Sequence, residues 1–526
     1  MRLSPLLAAW LTPVVLVAQD TKPVGPAAGV PVGAEAVEQR THGTAEGIRL
    51  VASFDGLGAR FVGPHGRVTL RNPSDNSLAV GRRHIVQTVN SQLAVFTRTG
   101  KPLYGPLPTN TVFRNFGGPC EDILSGDAVV RYDQLADRWL LVLPTFRRAR
   151  PRTSPPGPRR ALLPRPATTR DTLPRAVPAR LGPEPPDGTY AMCYAVSATP
   201  DPLGAWYRYE FTRTLFPDYP RPAVWPDGYY VPSSTGDEVI EKHVCVAERA
   251  RMLRGAPARE LCRIVPGVNF LNPVDLDGRQ RPLQGAPNLV LAAGGAQLEG
   301  VTDADALQLW RFHVNWADTS RTTLIGPERI AVAPYRYLCG GQLTSCVPQP
   351  GVARRLDAQG DKLMARVAYR QFGSHGAIVA AHSVNTAAGA GGVRWYELRV
   401  DASQGVSVAQ QGTYAPDSSY RWMPSPAMDR FGNIGLGYSF GSATHFPGQR
   451  FAARTPRDAP GTLGLRESTL VAGEASQAST LRWQDYTQTA VDPIDDCTIW
   501  YVGDYLKAGD TGYSTRIGAF KLPQCR

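Results

Sequence analysis

The sequence predicts an all-β protein, a β-propeller of about seven blades with three to four antiparallel strands each. Three observations carry this. From about residue 50 to the end, short apolar or alternating runs follow one another, each bounded by Gly, Pro, Asn or Asp, which is the pattern of strands and hairpins. The runs fall into sets of three or four that recur about seven times, and radial stacking of small sheets buries both of their faces. One stretch alone, Glu248–Leu253, reads as helix, of one or two turns. Seven blades would average roughly 60 residues, longer than the ≈ 40–50 of familiar propeller repeats, so long loops are expected. Tandem β-sandwiches are the alternative architecture.

The elements follow in order. Met1–Ala18 reads as a secretory leader: Arg2 supplies the positive start, and Leu6–Ala18 is mostly apolar but too short to span a bilayer. Residues 19–48 are rich in Pro, Gly and Ala and read as a disordered linker. Leu78–Val80, His84–Asn90 and Gln92–Thr97 are predicted strands joined by tight turns. Ala128–Tyr132 and Trp139–Leu143 flank a turn at Asp133–Asp137. Residues 146–188 then break the pattern. Ten arginines lie between Arg147 and Arg180 against one acid, Asp171, among many prolines and few aromatics. Such a segment cannot bury enough apolar surface to offset chain entropy, so a disordered insertion is expected.

Strands resume at Met192–Ser197 and Trp206–Phe211. Further sets are read at 223–231, 289–314, 363–400, 427–439 and 487–521. Two hairpins, Asp429–Asn433 and Asp492–Asp496, open on an aspartate whose carboxylate can accept backbone N–H bonds across the turn. With Trp500 packing behind the second, the pattern resembles a degenerate Asp-box, a structural device rather than a catalytic one.

The net charge of +12 invites a nucleic-acid reading. The segment from Arg147 to Arg180 carries nine of those charges and Arg2 one more, so the remainder is close to neutral at +2. Neither a folded reader nor interleaved aromatics accompany the arginines, so no nucleic-acid partner is predicted. A second reading makes the insertion a tether to an anionic surface. No later run of eighteen apolar residues exists, and no transmembrane segment is expected. Eight cysteines, Cys120, Cys193, Cys245, Cys262, Cys339, Cys346, Cys497 and Cys525, are read as four disulfides, which implies an exported, secreted or periplasmic protein. Eight cysteines allow 105 pairings. Sequence distance suggests Cys339–Cys346, Cys245–Cys262, Cys497–Cys525 and Cys120–Cys193.

The runs Gly126–Asp133, Asp137–Trp139, Trp225–Tyr230, Arg421–Met423, Ala427–Asp429 and Val491–Pro493 resemble a family of exported bacterial proteins placed near the sialidase-like (BNR) propellers. The resemblance covers most of residues 50–526 and implies the fold and export. It brings no catalytic residues.

Candidate chemistry is sparse. Gly437-Tyr-Ser439-Phe-Gly441 matches a nucleophile elbow, but no helix follows, His445 is the only later histidine, and no acid precedes it. Sialidase chemistry needs several arginines, a Tyr nucleophile with an acidic partner and an acid/base Asp. Arg370, Arg421, Arg482 and Arg516 could converge on one face, with Asp127, Asp218, Tyr219 and Asp485 as partners and Trp422 stacked beside Arg421. Asp275-Leu-Asp277-Gly278 and Thr302–Asp305 are fragments of calcium loops and read as surface turns, with calcium the minor alternative; no other cofactor is expected. His375 and His382 lie on neighbouring predicted strands and read as satisfied core or channel residues rather than metal ligands. The sequence therefore favours a monomeric binding protein for a glycan or extracellular protein at the face where the blade loops converge. A sialidase-like glycoside hydrolase is the alternative.

Overall fold

The computed structural model describes residues 30–150, 187–234, 242–268, 270–294, 305–341 and 344–526, with the backbone of Arg159–Leu162. Seven four-stranded antiparallel sheets follow in chain order. Their innermost strands are Ser77–Val80, Val129–Asp133, Ala223–Val224, Asn272–Asp277, Val367–Gln371, Tyr420–Met428 and Gln488–Val491. Each touches the innermost strand of the next sheet, and the seventh touches the first. A β-propeller of seven blades results. Blades 4 and 5 are joined more tightly, since Val274–Asp277 pairs in parallel with Val367–Arg370.

Closure of the ring is made by the two ends of the chain. Blade 7 takes its three inner strands from Gln488–Val491, Ile499–Tyr505 and Ser514–Lys521. Its outermost strand, Arg49–Asp55, comes from before blade 1 and pairs antiparallel from Arg49↔Lys521 to Asp55↔Arg516. Nearly continuous burial along the inner strands explains their apolar runs, because a blade packed on both faces has no polar side.

Two regions depart from expectation. The leader and residues 19–29 lie outside the described residues, but the rest of the expected linker is ordered. Ala34–Val37 forms a single 3-10 turn, and Glu38–Gln39 adds in parallel to the edge of blade 5 through Glu38↔Thr413 and Gln39↔Tyr414. Edge strands offer unpaired N–H and C=O groups, so even a Pro/Gly-rich segment is held by them. Within the insertion, residues 151–158 and 163–186 lie outside the described residues. Arg159–Leu162 is a fifth strand on blade 2, paired with Ala205–Arg208.

The Asp-led hairpins form as read. Asp429 accepts the N–H groups of Phe431 (2.8 Å) and Asn433 (3.0 Å). Asp492 accepts that of Ile494 (2.9 Å) and the indole N–H of Trp500 (3.0 Å). The helix expected at 248–253 appears as one turn, Arg249–Met252. The four disulfides join Cys120–Cys193, Cys245–Cys262, Cys339–Cys346 and Cys497–Cys525, the pairing that sequence distance suggests. Four disulfides fit a non-cytoplasmic compartment. Among the described residues no helix is long and apolar enough to cross a membrane.

Cys339–Cys346 closes the shortest of these loops, at a separation of 7 residues. Loop-closure entropy then gives about 2 kcal/mol for this bridge. The double variant Cys339→Ser/Cys346→Ser should lower the unfolding free energy by that amount in a urea titration. A loss above about 4 kcal/mol would contradict a purely local role.

Candidate functional site

Each innermost strand begins on one end of the ring, here called the upper face. Because strands are antiparallel, the second strand of each blade returns to it. A pocket of about 300 Å3 opens on this face. Asp75, Asp127, Tyr219, Phe270, Gln359 and Asp485 line it, and each lies shortly before an innermost strand. Asn90 and Phe146, just after second strands, complete the wall with Phe216, Asp218 and Arg482. Contributions from six of the seven blade junctions place the pocket on the ring axis.

Its backbone is unusual. Among the described residues, fifteen non-glycine positions have positive φ, and Asp75, Asp127, Tyr219, Gln359 and Asp485 are five of them. Such conformations cost of order 1–3 kcal/mol each and persist only where surroundings over-determine them. Here the sharp step from an outer strand to the axis imposes them, and aspartate bears it better than most residues.

Hydrogen bonds knit the lining together. Tyr486 donates its hydroxyl to Asp127 Oδ2 (2.8 Å), and Tyr219 donates to the Asp485 carbonyl (2.7 Å). These two tyrosine rings stack at 4.4 Å, with Phe270 edge-on to Tyr219 at 5.4 Å. Asp485 accepts from Gln359 Nε2 (2.7 Å) and is ion-paired with Arg482. Asp127 donates its N–H to Asp75 Oδ2 (3.3 Å). Burial pushes the Asp75 carboxyl well up, helped by the negative charges of Asp127 and Asp485. Burial, with Asp485 adding, pushes Asp127 up to about 6. Behind the pocket Asp504, which accepts from Asn76 Nδ2 (2.8 Å), is pushed by burial up to about 8.

A pH dependence follows. For each of these acids the folded pKa exceeds the unfolded one, so its stabilising contribution is complete below about pH 4 and is lost as pH rises through the folded value. Thermal stability should therefore fall between about pH 4 and pH 8. Asp504→Asn keeps an acceptor for Asn76 and removes the ionisation, so its melting temperature should fall less than that of the wild type as pH rises toward 8. Parallel declines in both proteins would count against this assignment.

Below the pocket the channel is filled. Arg131 reaches Asp275 at 3.2 Å, and Arg366 reaches Asp275 at 3.0 Å and pairs with Asp277. Gln488 accepts from Arg131 (2.5 Å) and Ser77 (2.8 Å), so the cluster bridges blades 1, 2, 4, 5 and 7. A void of about 20 Å3 is left, room for about one water. The axial pocket is thus blind.

Five of the eight candidate binding residues, Asp127, Asp218, Tyr219, Arg482 and Asp485, come together here. Three do not. Arg370 holds Asp496 with both terminal nitrogens (2.8 and 2.8 Å) at the far end of its strand. Arg421 is fully buried and bound to Asp417 (2.9 Å) and Glu467 (2.8 Å). Trp422 packs in the core beside Trp483 at 6.2 Å. The Arg-Trp dipeptide places both residues inside the blade, so neither faces the axis. Arg516 is likewise spent on Asp55 (3.4 Å). Asp275 and Asp277, expected on a surface turn with calcium the minor alternative, are buried against arginines instead. Of the second fragment, Asp305 accepts the Tyr335 N–H (3.2 Å), and residues 302–304 lie outside the described residues.

The elbow match has a packing origin. Ser439 is fully buried and accepts from Trp483 Nε1 (3.0 Å) and Gln484 Nε2 (2.8 Å). A Cβ on Gly437 would lie 2.3 Å from the Tyr501 ring, so glycine is required by the next blade. His382 is buried with Nε2 2.9 Å from the Tyr396 hydroxyl, while His375 stacks on Phe372. Asp75, Phe146, Phe216 and Phe270 were not singled out by sequence. One local signal marks the acids: Ser74-Asp75-Asn76, Gly126-Asp127-Ala128 and Gln484-Asp485-Tyr486 each stand two or three residues before a strand.

No protein-family model matches the chain, and no curated protein matches it by sequence. Solved structures do. A protein of unknown function from Dyadobacter fermentans is similar at 10% identity and a TM-score of 0.36, over 90% of this chain and 99% of that one. The α-L-arabinanase of Penicillium chrysogenum, complexed with arabinobiose, is similar at 9% identity and a TM-score of 0.30, over 59% and 94%. The WD40 domain of SCAP from fission yeast is similar at 8% identity and a TM-score of 0.33, over 85% and 96%. The fold assignment rests on the closed ring of seven sheets.

Proposed function

We propose that this is an exported propeller that binds a saccharide in the blind axial pocket. The observation that carries the reading is the pairing of carboxyl groups with aromatic rings in one concave site. Sugar rings present apolar faces that pack on aromatic side chains and hydroxyls that donate to carboxylates. Phe146 and Phe216 supply the first, and Asp75, Asp127 and Asp218 the second. A volume of about 300 Å3 is at the lower end of ligand pockets, which suits one terminal sugar unit. An anionic sugar fits poorly, because Arg482 is already held by Asp485 and the other candidate arginines are spent elsewhere. The apolar leader and four disulfides support an extracellular or periplasmic setting.

Hydrolysis is the second reading, favoured by Asp127 alone. A carboxyl pushed up to about 6 beside further carboxylates has the property of a general acid. A glycan array read together with a fluorogenic glycoside panel tests both. Array binding without turnover supports the first reading, turnover abolished by Asp127→Asn supports the second, and silence on both refutes a saccharide ligand. Phe216→Ala, at the half-buried rim, should weaken array binding about tenfold with little loss of stability, since it removes one stacking face.

A further inference from the structure

The pocket has more acid than a neutral sugar needs. Among the described residues four carboxyl groups line it, Asp75, Asp127, Asp218 and Asp485, against one guanidinium, Arg482, which Asp485 already binds. Asp75 is 1% exposed and lines the pocket, and among the described residues no group donates a hydrogen bond to its Oδ1. In the free protein the Asp75 and Asp127 carboxyls have each other as side-chain partners, and a ligand that brings its own donors can take the place of the proton they hold. Phe216, half-buried, offers a ring on the wall of the same pocket. Carboxylate plus aromatic ring is the combination that recognises an organic ammonium.

We propose that the axial pocket selects a saccharide bearing a protonated amine, seated against Asp75 and Asp127. This rests on the reading of the pocket as a saccharide site and names the class of sugar.

The surrounding charges set the direction. From the segment before blade 7, Asp485, Arg482 and Tyr486 face the pair, and Asp504 lies behind it. From the segment before blade 3 come Asp218, Tyr219 and Arg221, whose guanidinium is 4.6 Å from the Tyr219 ring. Lys362, paired with Asp361 at 3.0 Å, and Lys242 lie over Phe270 at 4.2 and 5.1 Å. Arg221, Lys242 and Lys362 therefore gather around Phe270, while Asp75, Asp127 and Asp485, the last paired with Arg482, stand at the junctions of blades 1, 2 and 7. An ammonium is drawn to the second side, with the uncharged part of the sugar toward the first.

Seating has a proton balance. Burial and mutual repulsion keep a proton on the Asp75/Asp127 pair near neutral pH. An incoming ammonium stabilises both carboxylates, so the pair gives up that proton to solvent as the ligand binds. No covalent bond changes. A neutral sugar leaves the proton in place.

Titration calorimetry at about pH 6 tests this, with β-1,4-linked glucosamine oligomers, their N-acetylated equivalents and cello-oligosaccharides as probes. The glucosamine oligomer should bind at least about tenfold tighter than the other two, the gain of one charge-assisted hydrogen bond in a buried site. Repeating the titration in buffers of different ionisation enthalpy should show proton release for the glucosamine oligomer alone. Asp75→Asn should reduce the preference to about twofold or less, with Phe216→Ala weakening all binding in proportion. Equal affinity for free and acetylated amines overturns the amine while leaving the saccharide site. No binding of any probe overturns the saccharide site itself and the amine with it. A preference that survives both Asp75→Asn and Asp127→Asn overturns the placement at this acid pair.

Discussion

Deleting residues Arg49–Asp55 is expected to abolish the cooperative unfolding transition of the protein. Blade 7 is the one blade whose strands come from both ends of the chain, and this strand completes it. Its loss strips Ser514–Lys521 of its outer partner, from Lys521 back to Arg516. Phe54 is lost from between blades 7 and 1, where it lies 6.0 Å from Phe96, beside a cluster that includes Trp500 and Ile517. Polar ties go as well, since Asp55 accepts from Tyr505 (2.7 Å) and pairs with Lys507 (2.7 Å). A ring opened at one seam exposes an edge strand and a blade face, which is a template for aggregation. The total stability of a domain is only about 5–15 kcal/mol, and these losses together consume most of it. Circular dichroism melting with size-exclusion chromatography reads the result. A soluble monomer that still melts in one sharp step without this strand would show that closure is not needed for the fold.

That closure was not visible locally. Alternating runs and Asp-led turns identify single hairpins, because these are properties of neighbouring residues, and the hairpins at Asp429 and Asp492 form as read. Ring closure pairs residue 49 with residue 521, and no pattern in either segment names the other. The pocket was half legible for the same reason. Asp127, Tyr219 and Asp485 stand out as polar residues at the start of apolar runs, and all three reach the axis. Asp75 shares their position, but Asn72-Pro-Ser-Asp75-Asn reads first as a turn. Arg370 and Arg421 look equally available in sequence, yet each has an acid that folding brings from another segment, Asp496 and Glu467. Asp275-Leu-Asp277-Gly278 misleads most. Two acids before a glycine suggest a surface loop, whereas alternation within an innermost strand turns both carboxylates into the channel to meet Arg131 and Arg366.

Arg366→Met should cost about 3–5 kcal/mol, because it leaves buried carboxylates without their counter-charge. Arg366 contacts both Asp275 (3.0 Å) and Asp277 and donates to the Thr489 carbonyl (3.1 Å). All three ionic side chains are buried, so water cannot replace what is removed. Asp275 keeps Arg131 at 3.2 Å and the Val224 N–H at 2.9 Å, so the larger part of the cost falls on Asp277. Burial already raises the Asp277 carboxyl against the pull of Arg366, and without that pull it should take up a proton. The penalty should then shrink as pH falls toward the new pKa and grow as pH rises, since only the ionised form is unpaired. Adding Asp277→Leu removes the orphaned charge, and the double variant should recover to within about 1–2 kcal/mol of the wild type. Urea unfolding of the four proteins of this cycle measures the coupling directly. A single-variant cost below about 1 kcal/mol, or no recovery in the double variant, would mean that the cluster merely occupies space. Saccharide affinity supplies an independent readout: the cluster lies beneath a blind pocket and touches none of its acids, so the double variant should bind as the wild type does while Asp75→Asn does not.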